Sequence, residues 1–422
     1  MKAAAAPGAV TDLLPADQVL TGDEGLAWSR GFPAEAVVFP AGLEEVRALV
    51  RVANETGTGL VPAGRGSWLR AGGWTGGGRV VVSTERLDGV GHYEPADLTL
   101  TAGAGLGWGD LDGVLRPHGQ WLPVDPPGAW AGTLGGVVAC GVSGPLQGRH
   151  GAVRDNVLGL EVVTGRGRVL RVGGRVVKNV AGYDLVRLFT GSRGSLGVIT
   201  SVSVRLFPLP GADVTLCFAG EVEEVLAMAA KVRTVALPVA AAEAVAAAPA
   251  AGREMELRVR VLGGDGEVEE VCSRLVREIG AGPGRMLRGG ESRALHRRRA
   301  DWEDGSSLVV RLAALPDRLA ETLARARGVA GRLGGEVSAD VLGGLVRVKG
   351  SPGAAGADGP AGILVRTRLA MEEAGGTMTL SRARPELGAR VGWTGSPDGG
   401  GPLAERIKSL FDPRSILSAR CP

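Results

Sequence analysis

The chain has 422 residues, of which 44% are hydrophobic, and its 48 Lys and Arg against 45 Asp and Glu leave a net charge of +3. That length predicts two or three domains rather than one core, and basic residues interleaved with acids argue against a nucleic-acid partner. Four scattered cysteines with no CxxC, and four scattered histidines, exclude a disulfide framework and any local zinc or iron–sulfur motif.

Glycine is the outlier, at 70 residues without a collagen period, and predicts many tight turns and close backbone contacts with a ligand. Arginine outnumbers lysine 43 to 5, which points to compositional bias. The densest basic run, HRRRADWED from His296 to Asp304, is followed at once by acids and reads as a solvated helix face. The N-terminal residues carry no signal-peptide pattern. The apolar region from Val225 to Ala250 is broken by Lys231, Arg233, Pro238 and Glu243 and cannot span a bilayer. The expectation is a soluble, cytoplasmic protein, with peripheral membrane association left open.

In chain order, AVVFP (Ala36 to Pro40) predicts a strand, and Leu43, Val46, Leu49, Val50 and Ala53 fall on one helical face. GLVP (Gly59 to Pro62) and RVVVS (Arg79 to Ser83) predict two more strands, the first running into the glycine loop AGRGS (Ala63 to Ser67). LTLTAG opens a second unit, followed by a helix around Leu111, Val114 and Leu115 and a proline-rich crossing into GTLGG (Gly132 to Gly136). Asn156 to Val172 reads as a hairpin turning at Gly165 to Gly167. In VKNVAGYDLVRLFTGSRGSLGVIT, Asp184 is a good N-cap for a short helix, and Val198, Thr200, Val202, Val204 and Leu206 predict one face of a half-buried strand. Beyond Pro208 to Gly211 the texture changes to strands alternating with longer amphipathic helices, which predicts an α+β domain of ferredoxin-like type. A Gly/Pro linker then leads to the helix ERIKSLFDP.

No GxGxxG and no Walker A lysine are present. Yet AGRGS and GTLGG both sit after a strand and before a helix, where exposed N–H groups form anion nests and glycine lets a pyrophosphate approach. Ordinary turns in a glycine-rich chain explain the same spacing, and spacing alone leaves both readings open.

The ordered set AGRGS, DLTLTAGAGLGWGDLDGVLRPHGQWLPVDPP, GTLGG, SGP, HGAVRDNVLGLEVV, KNVAGYDLVRLFTGSRGSLGVIT and the FDPRSIL tail (Phe411 to Leu417) resembles the FAD-binding subunit family of bacterial glycolate oxidase, within the vanillyl-alcohol oxidase superfamily. The resemblance is strong over residues 33 to 211, moderate in the tail, and by pattern only in between. It implies an α+β protein: a two-subdomain PCMH-type FAD-binding domain (33–211) after an N-terminal leader (1–32), a ferredoxin-like α+β cap (212–395), and a C-terminal return (396–422). It further implies that Ala63, Gly64, Arg65, Gly66 and Ser67 cradle the pyrophosphate through backbone amides. Pro127, Thr133, Gly135, Gly136, Ser143 and Gly144 would line the second loop against phosphate and isoalloxazine. Gly197, Val198 and Ile199 would give backbone contacts to the nucleotide. Lys178, Asn179, Tyr183 and Asp184 would brace the connection beside the flavin, with a core tyrosine bonded to backbone as the rival reading for Tyr183.

Two departures shape the expected activity. Some relatives tether FAD through a histidine in the first loop, and the resemblance puts Ser67 there, so FAD is expected to bind noncovalently. Relatives that oxidise 2-hydroxy acids unaided carry a His-rich metal site, whereas this cap shows one histidine, His296, and predicts no metal site and no assignable catalytic residue. The expected function is an oxidoreductase acting on CH–OH groups: the FAD-binding subunit of a glycolate oxidase-like 2-hydroxy-acid dehydrogenase complex. Its expected partners are a His-rich catalytic flavoprotein subunit and an iron–sulfur subunit. The alternatives are a self-sufficient FAD-linked dehydrogenase of another hydroxy acid or alcohol, and a structural flavoprotein subunit.

Overall fold

The computed structural model describes residues 8–30, 32–69, 79–174, 183–246, 254–300, 302–303, 306–351, 359–393 and 401–417. The chain divides into two units: Met1–Val142, Ala152–Leu209 and Asp398–Pro422 form the first, and Ser143–Gly151 with Pro210–Pro397 form the second. Lys178 and Asn179 lie outside the described residues.

The first unit opens with four strands, β1 (Val19–Thr21), β2 (Ala36–Val38), β3 (Gly59–Ala63) and β4 (Arg79–Ser83), ordered β1-β2-β4-β3. The inner strands are parallel, and their Val-rich runs are buried on both faces, as parallel strands require. The helix Leu43–Thr56 crosses between β2 and β3, burying Val46, Leu49, Val50 and Ala53 in the i, i+3, i+4, i+7 pattern. Each Val or Leu so buried contributes about 1.5–3 kcal/mol. Gly57 ends the helix at φ 77°, a left-handed turn that glycine takes without steric cost. The expected leader is part of this sheet: β1 pairs antiparallel with β2, Leu20 opposite Val37. A three-residue strand is too short to show the alternation by which strands are recognised.

Seven strands follow: β5 (Val90–Glu94), β6 (Thr99–Gly103), β7 (Gln120–Trp121), β8 (Val157–Thr164), β9 (Val169–Gly173), β10 (Gly197–Arg205) and β11 (Phe207–Pro208). Five make an antiparallel sheet ordered β5-β6-β10-β8-β9, and β7 pairs with β11. The even alternation expected along β10 fails at a bulge between Ile199 and Ser201. As a result Val198 packs into the core of the first sheet, while Ile199, Val202 and Val204 enter the core of the second. The extra residue flips the face of everything before it. Asp184 Oδ1 accepts from the Arg187 N–H at 3.1 Å and caps the helix Leu185–Phe189 as expected, but Tyr183 is 96% exposed and is not a core tyrosine.

The FDPRSIL tail is tied into this unit by one carboxylate. Asp412 is fully buried, its oxygens accept the N–H groups of Ile416 (3.0 Å) and Leu417 (2.8 Å), and Lys408 Nζ approaches to 2.5 Å. Lys408 also donates to the carbonyls of Ser195 and Leu417. The turn so fixed delivers Ile416 and Leu417 to the first-sheet core, with Leu417 bridging to Leu60 on β3.

The second unit is built on eight antiparallel strands: β12 (Ala212–Glu221), β13 (Val239–Ala246), β14 (Glu254–Gly263), β15 (Arg285–Arg288), β16 (Leu308–Ala313), β17 (Glu336–Asp340), β18 (Leu345–Gly350) and β19 (Thr377–Arg382). Their order, β15-β12-β14-β13-β17-β18-β16-β19, is two βαββαβ ferredoxin-like units side by side, each ordered 4-1-3-2 from its outer edge. Thus the ferredoxin-like pattern expected once occurs twice, joined where β13 pairs with β17. One face is apolar and carries the helices Val222–Thr234, Asp265–Ile279, Leu319–Leu333 and Gly359–Glu373.

The alternate positions face the other way and are polar although buried. Arg260 and Asp213 form a two-bond pair (3.1 and 2.7 Å), and Ser292 Oγ donates to Asp213 at 2.5 Å. Beside them His296 Nε2 lies 3.1 Å from Thr215 Oγ1, so it is part of this layer rather than of a solvated face. Glu243 stands opposite Asp340 across β13 and β17, both about 1% exposed. Burial raises the pKa of Asp340, against the lowering influence of the Gly343 N–H, Arg347 and Gln147. The excursion Ser143–Gly151 belongs to this unit: Gln147 donates to Asp340 (3.3 Å) and Arg347 to the Ser143 carbonyl (3.3 Å). It adds a second histidine, His150, to the one expected there.

Two outcomes follow. Asp412→Ala leaves Lys408 and two amides without their acceptor and should cost about 3–5 kcal/mol in urea unfolding. Loss of the exposed Arg187–Asp184 pair in Arg187→Ala should cost under about 1 kcal/mol. Equal losses would refute the assignment of Asp412 as the clasp. Separately, burial, helped by Arg149 and Arg260, lowers the pKa of His150 to about 4. An unfolded histidine protonates near 6.5, so the unfolded chain binds the proton first, and stability is lost as pH falls from about 6.5 toward 4. Relative to wild type, His150→Gln should gain in urea midpoint between pH 7 and pH 4.5; parallel midpoints would contradict the burial of the imidazole.

Candidate functional site

A cleft in the first unit is lined by the end of β3, the following glycine loop, the helix Leu134–Cys140 and the stretch from Arg193 into β10. Counting its open mouth, the cleft encloses about 1000 Å³ of space between atoms and solvent.

The two glycine loops meet in this cleft and divide the work. A Cβ on Gly64 would lie 2.1 Å from Thr133 Oγ1, so only glycine lets the first loop touch the second. Ser67 Oγ donates to the Ala131 carbonyl (2.6 Å) and Ser83 Oγ to the Gly64 carbonyl (3.0 Å), holding the first loop from both sides. Gly66 has φ 72°, and a loop that passes through the left-handed region turns successive N–H groups to one side. Among the described residues no acceptor takes the amides of Gly64, Arg65, Gly66, Ser67 or Trp68. In the second loop the amides are used: Leu134 N–H donates to Leu106 O (2.9 Å), Gly135 N–H to Ala104 O (2.8 Å), and Gly136 N–H to Thr133 Oγ1 (3.1 Å). The first loop is therefore an open nest for anions, and the second is a capped helix start that supports it.

Gly135 lines the cleft and also meets a packing demand. A Cβ there would meet Ala104 Cβ at 2.5 Å and its carbonyl oxygen at 2.8 Å. The glycine admits Ala104, just after β6, against the helix.

Of the residues singled out in the sequence, Ala63, Gly64, Arg65, Gly66 and Ser67 line the cleft, as do Thr133, Gly135 and Gly136. Gly197, Val198 and Ile199 line it too, and they pair with β8 on one side only, because pairing with β6 begins at Ser201. Their other backbone edge is open to a ligand. Pro127 is not among the lining residues, and Ser143 and Gly144 belong to the second unit. The run of small residues from Gly132 to Gly144 hides the change of unit. Sequence reasoning passed over Trp68, Cys140, Arg193 and Gly194, all of which line the cleft. Arg193 carries the one available signal, a charged residue inside GSRGSLG. Among the described residues no group of three or more His, Cys, Asp or Glu could hold a metal ion.

Residues 34–173 match the family model described as FAD binding domain. This part of the chain is an FAD binding domain. The chain is 48% identical to glycolate oxidase subunit GlcE of Escherichia coli over 130 residues, covering 30% of this chain and 37% of that protein. It is 35% identical to glycolate oxidase subunit GlcD of Bacillus subtilis over 43% of this chain and 39% of the relative. It is also 33% identical to a probable mitochondrial D-lactate dehydrogenase of Danio rerio, over 56% of this chain and 50% of the relative. The chain thus spans at most about half the length of these relatives. Among solved structures, 4-ethylphenol oxidase from Gulosibacter chungangensis aligns over 98% of this chain and 96% of its own, with TM-score 0.71 and 17% identity. p-Cresol methylhydroxylase aligns with TM-score 0.71 and 16% identity, over 97% of this chain and 94% of its own. The fold is that of the PCMH-type FAD-binding proteins.

The glycine geometry has a direct test. Gly135→Ala should destabilise the protein by about 1–3 kcal/mol, because Ala104 must move. Gly113, in the helix Trp108–Leu115, faces open space, with nothing within 4 Å of where a Cβ would stand, and Gly113→Ala should stabilise by about 0.5–1 kcal/mol. Thermal melts of the two variants in the reverse order would refute the close packing of the helix on β6.

Proposed function

We propose that this chain is the FAD-binding subunit of a glycolate oxidase-like 2-hydroxy-acid dehydrogenase complex, holding FAD noncovalently. In this reading a His-rich catalytic flavoprotein subunit and an iron–sulfur subunit complete the complex, and electrons pass from substrate toward the iron–sulfur partner. A cytoplasmic location is part of the proposal; among the described residues no helix is long and apolar enough to cross a membrane.

The observation that carries the reading is the open nest of Gly64 to Trp68, facing a cleft within the stretch matched as an FAD binding domain. The donor set fits the cofactor. The nest amides would bind pyrophosphate oxygens, with Thr133 fixing the loop that presents them. The free edge of Gly197 to Ile199 would hydrogen-bond the nucleotide, and Val61, Trp68 and Leu69 would exclude water. Bound FAD would supply a two-electron acceptor, which none of the side chains provides. Among the described residues no histidine lines the cleft, which favours noncovalent binding. The names of the glycolate oxidase relatives support the substrate class and the complex.

A self-sufficient dehydrogenase is the second reading. It is favoured by the longer alignment, 253 residues, to the D-lactate dehydrogenase of Danio rerio, and by His150, whose low pKa keeps the imidazole neutral and able to accept a proton.

Purified protein should carry one FAD per chain, and acid precipitation should leave the flavin in the supernatant; flavin retained in the pellet would overturn noncovalent binding. Anaerobic bleaching of the flavin band by glycolate or D-lactate should be slow for the lone chain and fast once both partner subunits are added. Fast bleaching by the lone chain would establish the second reading instead.

A further inference from the structure

Arg193 is one of four described non-glycine residues with positive φ, at 54°. Nineteen described glycines take positive φ without steric cost, so an arginine there holds a conformation that glycine or asparagine would adopt more easily. The backbone around it is pinned. Its N–H donates to the Ala139 carbonyl at 2.7 Å, and the next residue, Gly194, lies so close to β3 that a Cβ would meet Pro62 at 2.9 Å. These contacts use the main chain and place no demand on the side chain.

Arg193 is half-buried and lines the cleft, and its guanidinium has no hydrogen-bond or ion-pair partner among the described residues. Arg65, the other arginine of the cleft, is exposed and already lies 3.3 Å from Asp110. Among the described residues Arg193 is therefore the cleft arginine without a partner. It sits at the far end of the helix Leu134–Cys140 from the nest, beside the free backbone edge of Gly197 to Ile199. A seven-residue helix is about 10 Å long, so the cleft runs along one helix from the open amides to Arg193, whose N–H holds the helix's last turn. A dinucleotide with its pyrophosphate toward the nest extends one nucleoside arm toward Arg193.

We propose that Arg193 is a binding residue for the adenosine diphosphate half of FAD, holding its charge or its base with a guanidinium that the fold itself does not use. The inference rests on the FAD reading of this cleft and goes beyond it by giving one side chain of this chain, Arg193, a part in holding the cofactor.

The test is titration calorimetry of the full-length apoprotein with FAD and with ADP, in wild type, Arg193→Gln and Arg193→Gly. Wild type should bind both ligands. Arg193→Gln should weaken both by about tenfold to hundredfold, the loss expected for one hydrogen bond to a charged group. Arg193→Gly should weaken them equally while raising the melting temperature of the apoprotein, because glycine relieves the positive φ. A residue kept only for structure would move affinity and stability in the same direction. ADP and FAD affinities unchanged in Arg193→Gln would overturn this assignment and leave the FAD site standing. Wild type that binds neither ligand would overturn both.

Discussion

The cleft depends on a single close approach, that of the loop after β3 to the start of the helix Leu134–Cys140. Where a side chain on Gly64 would stand, Thr133 Oγ1 already lies. On the helix's other side Gly135 lets Ala104 in to the same degree. The helix is thus gripped between two strands from different sheets, each reached through a glycine. That grip consumes the amides of the second loop and leaves those of the first open. Charge selectivity in the cleft is therefore a by-product of packing: the backbone donors that remain are the ones that packing could not use.

The second unit shows the opposite use of a strand's two faces. Its apolar face is covered by four amphipathic helices, as alternation in the strands dictates. Its other face buries arginines, carboxylates and two half-buried histidines, and burial without pairing would be costly. Pairing is dense where it can be read: Arg260 with Asp213 and Ser292, Asp340 with two loop amides and Gln147. A polar layer of this kind adds less stability than an apolar one would.

Much of this was legible in the sequence wherever one residue type answers one local demand. Val46, Leu49, Val50 and Ala53 announced a helical face and Asp184 a cap, whereas the strand-before, helix-after setting read for both glycine loops is only half found: AGRGS follows β3 with no helix after it among the described residues, and GTLGG opens a helix but follows a 3-10 turn. What could not be read depends on contacts between distant residues. The doubling of the ferredoxin-like unit rests on β13 pairing with β17 across some ninety residues, which leaves no local period. The bulge at Thr200 depends on its partner strand, so alternation alone placed Val198 on the wrong side. Ser143 and Gly144 were read into the cleft because their neighbours are in it, yet the chain changes unit between Val142 and Ser143. The packing of Gly135 on Ala104 could not be read either, since its sequence neighbours say nothing of Ala104.

The tail clasp has a consequence for the order in which the molecule can be made. Ile416 and Leu417 complete the core around β3, and Asp412 and Lys408 hold them there. During synthesis, residues 1–209 leave the ribosome well before these do, and all of the second unit except Ser143–Gly151 is translated in between. The usual sequence, in which the N-terminal unit finishes folding first, is therefore inverted. The second unit can close its sheet as soon as β19 emerges, whereas the first must wait, with its core open at Leu60, for the last strand-like residues to arrive. The cofactor cleft is then among the last parts of the chain to become rigid, so a nascent chain stopped before Asp412 would present a finished second unit beside an unfinished binding domain.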